Sequence, residues 1–150
     1  MADPLANLAA SGQLLAEPTS ANEMQRFLAS ARRLLKDASL RQLSAESRFM
    51  MAYSAAHTLS LAALRANGYR PSQSRGHRAL VFQSLAHTIS AQPALWATLN
   101  RYHTKRNKSE YEAVAGFTEA EAEELRGLAA EVEVLLIAWL KARRPDLGVG

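Results

Sequence analysis

The hydrophobic positions of this 150-residue chain recur at helical spacing over most of its length. Two stretches begin with a capping box, in which Ser or Thr is followed three residues later by Glu: Ser20 with Glu23, and Thr118 with Glu121. Such a box satisfies the free amide groups of a first turn, so it marks a helix start. We predict one helix from Ser20 to about Ser39. We predict a last helix from Thr118 that ends among the basic residues Lys141, Arg143 and Arg144.

Three further helices are predicted between these two. Ser44 caps a long helix that ends at the glycine stop signal of Gly68. A Pro- and Ser-containing connection follows, and then a helix from about His77 to Ser90. Pro93 suits the first turn of the next helix, which becomes basic after an apolar start. Since no alternating run is long enough to indicate a strand, the predicted fold class is all-α, a bundle of four to five helices.

The chain is predicted to form a single domain, because 150 residues suit one hydrophobic core. Residues 1–19 are weakly patterned and are interpreted as an N-terminal arm or one short helix. Residues 20–144 are assigned to the helical bundle, and residues 145–150 to a C-terminal tail. No internal repeat is visible.

Composition excludes several classes of protein. The apolar content of 48% is sufficient for a packed core. The absence of cysteine excludes disulfide frameworks, thiolate nucleophiles and cysteine-ligated metals. No apolar run approaches the ~20 residues of a membrane span, and the first residues lack the basic region of a secretory signal. We therefore expect a cytoplasmic protein that does not associate with a membrane.

The net charge of +4 is modest, but its distribution is uneven. No Asp or Glu occurs between Glu46 and Glu110, an interval that holds nine Lys and Arg residues and all four histidines. From Glu110 to Glu133 there are eight acidic residues and a single Arg126. This pattern favours an anionic partner, with RNA, DNA and nucleotides as the leading classes. The alternative is that the basic residues only keep helix surfaces solvated.

The most informative stretch for chemistry is residues 101–111. Helical spacing places Arg106 on the same side as Leu95, Leu99 and Tyr102, so its guanidinium extends an apolar stripe. A guanidinium in that position needs a carboxylate or phosphate partner. One interpretation is an ion pair with Glu110, or with an acid of the last helix, that closes the end of the bundle. Asn107 and Tyr111, four residues apart, are placed on a neighbouring face.

The histidines do not indicate a metal site. No two of them have the four-residue spacing of a helical metal pair, and their interval contains no carboxylate. His57 and His87 lie among apolar residues and are interpreted as core histidines. His77 and His103 are the candidates for phosphate binding or acid–base chemistry. Because the chain also lacks a Gly-rich phosphate loop, we expect no metal and no cofactor.

Three stretches carry a family resemblance: residues 47–56, residues 61–71 followed by Gly76 and His77, and residues 105–111 with the sequence Lys-Arg-Asn-Lys-Ser-Glu-Tyr. In these stretches, and in their order over residues 22–142, the chain resembles the HEPN superfamily (higher eukaryotes and prokaryotes nucleotide-binding). The resemblance implies an antiparallel helical bundle that commonly dimerises. It also implies a relation to metal-independent ribonucleases and to toxin–antitoxin pairs that include a minimal nucleotidyltransferase.

Active members of that superfamily use Arg, four to six spacer residues and then His, with a polar residue after the Arg. Carried over to this chain, Arg106 is the motif Arg, Asn107 is the polar residue and Tyr111 stands at the His position. A Tyr side chain with its ordinary pKa near ~10 does not exchange protons readily at neutral pH. The resemblance therefore implies binding more strongly than cleavage.

The leading hypothesis is an RNA- or nucleotide-phosphate-binding HEPN-like protein that acts as a homodimer in a toxin–antitoxin or related defence or stress system, with a nucleotidyltransferase-type protein as a partner. Its proposed contacts are Arg106, Asn107 and Tyr111, with Lys105, Lys108 and Arg101 as further phosphate-binding residues; in a two-fold dimer Lys105 and Lys108 would lie in one groove. One alternative is a structural or protein-interaction bundle with no nucleic-acid role. A second is a metal-independent ribonuclease that uses His103 or His77 as its base.

Overall fold

The structure, a computed structural model, describes residues 3–72, 77–112 and 116–148, and it leaves undescribed the side chains of residues 77 and 109–112. These ranges are mostly helical, which confirms the predicted all-α class. The elements in chain order are α1 (Pro4–Ala10), β1 (Leu14–Ala16), α2 (Ala21–Ala38), α3 (Ala45–Ala66), β2 (Tyr69–Pro71), α4 (His77–Gln83), α5 (Leu85–Thr88), α6 (Pro93–Glu112), α7 (Glu119–Arg143) and a 3-10 turn (Pro145–Leu147).

Helix α3 is the centre of the bundle. It packs along α2 and α7, and it also contacts α4 and α6. Small side chains allow these neighbours to approach closely, because six of its alanines are fully buried: Ala52, Ala55, Ala56, Ala62, Ala63 and Ala66. Its larger buried residues include Phe49 and Tyr53, which reach toward α6. α3 therefore brings an aromatic pair to the helix that carries most of the predicted site.

The predicted helix starts are confirmed by their caps. The hydroxyl oxygens of Ser20, Ser44 and Thr118 accept hydrogen bonds from first-turn amides of α2, α3 and α7. The capping box at Thr118 is complete, since the Glu121 carboxylate also accepts from the Thr118 amide at 3.0 Å. At Ser20 the hydroxyl oxygen accepts from the Glu23 amide, as a capping box requires. The Glu23 carboxylate accepts instead from Thr19 and from Arg65 of α3.

The N-terminal segment contains a strand that the sequence analysis missed. β1 pairs antiparallel with β2, so that Leu14 lies opposite Pro71 and Ala16 opposite Tyr69. Leu5 of α1 and Leu14 of β1 are buried against Leu64 of α3 and Val81 of α4. The expectation that no segment forms a strand is wrong here, because three-residue strands are too short to show an alternating pattern.

The single helix predicted for residues 77–90 is wrong at Ser84, where α4 ends before α5 begins. The Ser84 hydroxyl donates to the Val81 carbonyl at 2.7 Å, a local bond that competes with regular helix geometry. Ile89 ends α5, and Ser90 has a positive φ of 55°.

The segment after α7 also packs onto the bundle. The 3-10 turn buries Leu147 in the main core, near α2 and α7. Arg144 donates to the carbonyl of Ala66 at the end of α3, 2.9 Å away. In the part of the chain that the structure describes, no helix has the length and apolar character required to cross a bilayer.

Candidate functional site

The basic end of α6 presents three polar side chains to its neighbours α3 and α4. His103, Arg106 and Asn107 are spaced by three and four residues, so they share one face of the helix. All three are half-buried, while Lys108 is exposed beside them. Asn107 connects the other two: its amide nitrogen lies 3.3 Å from Nε2 of His103, and its oxygen lies 3.5 Å from a guanidinium nitrogen of Arg106.

Tyr53 of α3 lies at the centre of this face. Its hydroxyl oxygen is 2.8 Å from Nδ1 of His103. The guanidinium carbon of Arg106 lies over its ring, 4.8 Å from the centroid, a favourable cation–π geometry. Only 1% of Tyr53 is exposed, so its ring is a fixed support for both side chains.

α4 completes the arrangement. The guanidinium carbon of Arg78 is 5.9 Å from the centroid of the Tyr53 ring, so a second cation converges on the same aromatic residue. Beneath it, the buried ring of Phe82 contacts Tyr53, His103 and His57 edge to face. We refer to Tyr53, Arg78, His103, Arg106 and Asn107 as the Tyr53 cluster.

The three helices that form the cluster supply almost no negative charge. The sequence between Glu46 and Glu110 has no acidic residue, and this interval includes nearly all of α3, all of α4 and most of α6. An anion bound at this face therefore meets two guanidinium groups and an imidazole. Such an arrangement can hold a phosphoryl group with the guanidinium groups and exchange a proton at His103.

Two of the predicted site residues lie on another side of α6. Lys105 forms an ion pair with Glu121 of α7, and this hydrogen bond is the main cause that lowers the pKa of Glu121 below 4.5. Arg101 lies 3.7 Å from Glu124, to which the buried Tyr102 also donates. Burial, and then that hydrogen bond, raise the pKa of Tyr102 to about 12. The structure therefore places Lys105 and Arg101 against α7, away from the Tyr53 cluster.

Two other predicted residues lie outside the described side chains. The backbone of His77 begins α4, and that of Tyr111 lies in the last turn of α6. The same holds for Glu110, the local partner considered for Arg106. Of the two histidines interpreted as core residues, His57 is half-buried against Phe82, whereas His87 is exposed and that interpretation is wrong.

A separate surface cleft lies where the α2–α3 connection meets the start of α7. It is lined by Ser39, Arg41, Arg48, Glu119, Ala120, Glu123 and Arg126. Arg48 is buried there; it donates to the Ala38 carbonyl at 2.8 Å and pairs with Glu119 and Glu123. Glu123 also pairs with Arg126. These contacts of Arg48 join the ends of α2 and α3 to the start of α7. Because the positive and negative charges of the cleft offset one another, it is a weaker candidate for an anion site.

Sequence reasoning missed Tyr53 and Arg78. Helical periodicity places Tyr53 on the apolar face of α3, which indicates burial but not the neighbours of its hydroxyl. Arg78 belongs to the acid-free interval, and that charge pattern is the one sequence signal that includes it. Among the residues that the structure describes, no three His, Asp or Glu side chains are grouped closely enough to hold a metal ion.

Comparison of the chain with protein-family models, with curated proteins and with solved structures found no match.

Proposed function

We propose that this protein is a HEPN-like antiparallel helical bundle that binds RNA or a nucleotide phosphate at the Tyr53 cluster. The observation that carries the proposal is the convergence of Arg106, Arg78 and His103 on one half-buried face, within the interval of the chain between Glu46 and Glu110 that contains no acidic residue. Guanidinium groups bind phosphate oxygens through charge-assisted hydrogen bonds, and their geometry is fixed by the ring on which they rest. The motif resemblance at Arg106 and Asn107 supports the same residues.

The contacts divide into two kinds. Arg106 and Arg78 hold the phosphoryl group, and Asn107 hydrogen-bonds a ribose or phosphate oxygen. Lys108, exposed next to Asn107, extends the positive surface along the strand. Tyr111 remains part of the proposal on the strength of the motif alone. Lys105 and Arg101 have a smaller role than the sequence suggests, because α7 carboxylates pair with them.

Arg106→Gln tests the binding site. We expect single-stranded RNA to bind about ten- to a hundredfold more weakly, since a charge-assisted contact to phosphate is lost. The measurement is fluorescence anisotropy with a labelled oligonucleotide at low and moderate salt. Arg33→Gln, which removes the same charge from the exposed side of α2, is the matched control and is expected to bind like the unmodified protein.

The structural alternative predicts the opposite binding result. If the bundle has no nucleic-acid role and Arg106 only closes a helix end, RNA binding is weak even at low salt and is equal in the two variants. Arg106→Gln then reduces the free energy of unfolding without any change in binding. Such a result would contradict the proposed function.

A second candidate function, metal-independent RNA cleavage, is favoured by one observation. The His103 ring lies next to Arg106 and is held by Tyr53 on one side and Asn107 on the other. A histidine held in this way can act as a general base on a ribose hydroxyl. Cleavage that persists with a chelator and is lost in His103→Gln supports this candidate; cleavage that survives His103→Gln and His77→Gln removes both proposed bases.

We also propose homodimerisation, cytoplasmic action and a place in a toxin–antitoxin or related defence or stress system with a nucleotidyltransferase-type partner. These proposals follow from the family resemblance. Light scattering measures the mass of the particle. Co-purification with a nucleotidyltransferase encoded next to this protein tests the partner.

A further inference from the structure

A continuous chain of hydrogen bonds joins four side chains of the Tyr53 cluster. It runs from the guanidinium of Arg106 to Asn107, from Asn107 to His103, and from His103 to Tyr53. A guanidinium has donors and no acceptor, so the Asn107 atom that faces it must be the amide oxygen. The amide nitrogen of Asn107 therefore faces Nε2 of His103, 3.3 Å away.

This orientation determines which nitrogen of His103 carries the proton. An amide nitrogen donates, so Nε2 of a neutral His103 must accept. The ring proton is then on Nδ1, from which it is donated to the hydroxyl oxygen of Tyr53 at 2.8 Å. The lone pair of Nε2 is thus held on the side of the ring where Asn107 and Arg106 lie.

We propose that the Tyr53 cluster takes up a proton at Nε2 of His103 when it binds a phosphodiester group, so that binding and protonation are linked. The proposal rests on the proposed function and adds a property of the same site. A protonated Nε2 becomes a donor and, beside Asn107, contacts the phosphoryl oxygen that Arg106 holds. Tyr53 is a positioning residue, because it accepts from Nδ1 in both states.

The charges around His103 give this linkage its direction. From α6 it is faced by Arg106 and Asn107, from α3 by Tyr53 with His57 nearby, and from α4 by Arg78 and Phe82. A bound phosphodiester brings negative charge next to His103 and favours the imidazolium. Binding is therefore stronger at lower pH, where the proton is available.

The test is the pH dependence of affinity for an oligouridylate with hydroxyl groups at both ends. Its phosphodiesters and bases keep one charge state between about pH 5.5 and about pH 8, the range in which histidine titrates. We expect the Kd to fall about tenfold toward the lower pH for each pKa unit by which binding stabilises the imidazolium. His103→Gln is expected to remove this dependence, and His87→Gln, at an exposed histidine of α5, to retain it.

The outcomes separate this inference from the proposed function. If the affinity depends on Arg106 but not on pH, the linkage is overturned and the proposed function stands. If the pH dependence persists in His103→Gln, another group takes up the proton and the linkage at His103 is overturned. If the oligouridylate does not bind at either pH, the proposed function itself fails, and the linkage fails with it.

A spectroscopic measurement tests the role of Tyr53 without any ligand. Nitrogen-15 chemical shifts of the imidazole ring distinguish a proton on Nδ1 from one on Nε2. We expect neutral His103 to carry it on Nδ1 in the unmodified protein, and to lose this preference in Tyr53→Phe, which keeps the buried ring but removes the acceptor. A neutral His103 with its proton on Nε2 in the unmodified protein would overturn the assignment.

Discussion

Arg65 is a buried cation that ties the N-terminal segment to the bundle. Its side chain, only 6% exposed, donates to the Glu23 carboxylate at 2.9 Å and to the carbonyls of Glu17 and Pro18 at 2.9 and 3.0 Å. These acceptors lie just before α2 and in its first turn, whereas Arg65 is near the end of α3. A five-donor guanidinium satisfies all of them at once, which no other side chain can do.

We predict that Arg65→Met reduces the free energy of unfolding by about 2 kcal/mol at neutral pH, because Glu23 and the carbonyls of Glu17 and Pro18 lose the buried guanidinium that donates to them. Urea unfolding followed by circular dichroism measures this change. Arg26→Met, at an exposed position of α2, is the control and is expected to stay within about 0.5 kcal/mol of the unmodified protein.

The destabilisation caused by Arg65→Met depends on pH. Burial alone raises the pKa of Glu23, but hydrogen bonds from Thr19 and Arg65 outweigh it and lower that pKa below 4.5. The stabilisation is therefore present above the unfolded pKa of Glu23 and is lost as the pH falls through the folded one. The destabilisation by Arg65→Met is expected to shrink in acid; a constant difference from neutral to acid pH would contradict this account.

At the scale of elements, the start of α7 depends on one complete capping box. Thr118 accepts from the amide of Glu121 at 3.1 Å, and the Glu121 carboxylate accepts from the amide of Thr118 at 3.0 Å. The same carboxylate pairs with Lys105 of α6, so the cap also connects two helices. Phe117, one residue earlier, stacks on Phe49 of α3 with ring centroids 3.6 Å apart.

We predict that Thr118→Ala reduces the free energy of unfolding by about 1 kcal/mol, the usual cost of losing an N-cap. Thermal and urea unfolding report the change. Thr104→Ala is the matched control: its hydroxyl donates within α6 to the Asn100 carbonyl, and Ala is the better helix former there. Equal losses in both variants would show that the box does not stabilise α7.

The long helices could be predicted because their signals are local. The sequence predicts α2 from Ser20 to about Ser39, and the observed helix spans Ala21–Ala38. The pairing of β1 with β2 could not be predicted, since it joins residues more than fifty positions apart in runs of three. Ser84 is equally ambiguous, because Ser tolerates both a helix interior and a helix end.

The candidate site was only half visible in the sequence for a similar reason. His103, Arg106 and Asn107 follow from the spacing on one helix, which needs no knowledge of tertiary structure. Tyr53 and Arg78 join them only because α3, α4 and α6 pack together. The separation of Lys105 and Arg101 from the cluster likewise depends on where α7 lies.

At the scale of the whole molecule, charge is divided between two sides of α6. Acidic residues of α7 pair with Lys105 and Arg101 on one side, whereas Arg106 and Arg78 converge on Tyr53 on the other. We therefore expect a polyanion to bind at the Tyr53 cluster rather than on the side of α6 that faces α7. The modest net charge of +4 is therefore distributed unevenly over the molecule.

We predict that the salt dependence of RNA binding reports Arg78 as a phosphate contact. Each such contact to a single strand contributes about 0.7 to the slope of log K against log salt concentration. Arg78→Gln is expected to reduce the slope by about that amount, whereas Arg33→Gln leaves it unchanged. A slope that is the same in Arg78→Gln would remove this residue from the site.

The central position of α3 also constrains when the protein can fold during its synthesis. α3 is covered on one side by α2, which is made before it, and along another by α7, which is made more than fifty residues later. Ribosomes add about 5–20 residues per second, so a nascent chain carries this alanine-rich face uncovered for some seconds. The native core is completed only after α7 has emerged.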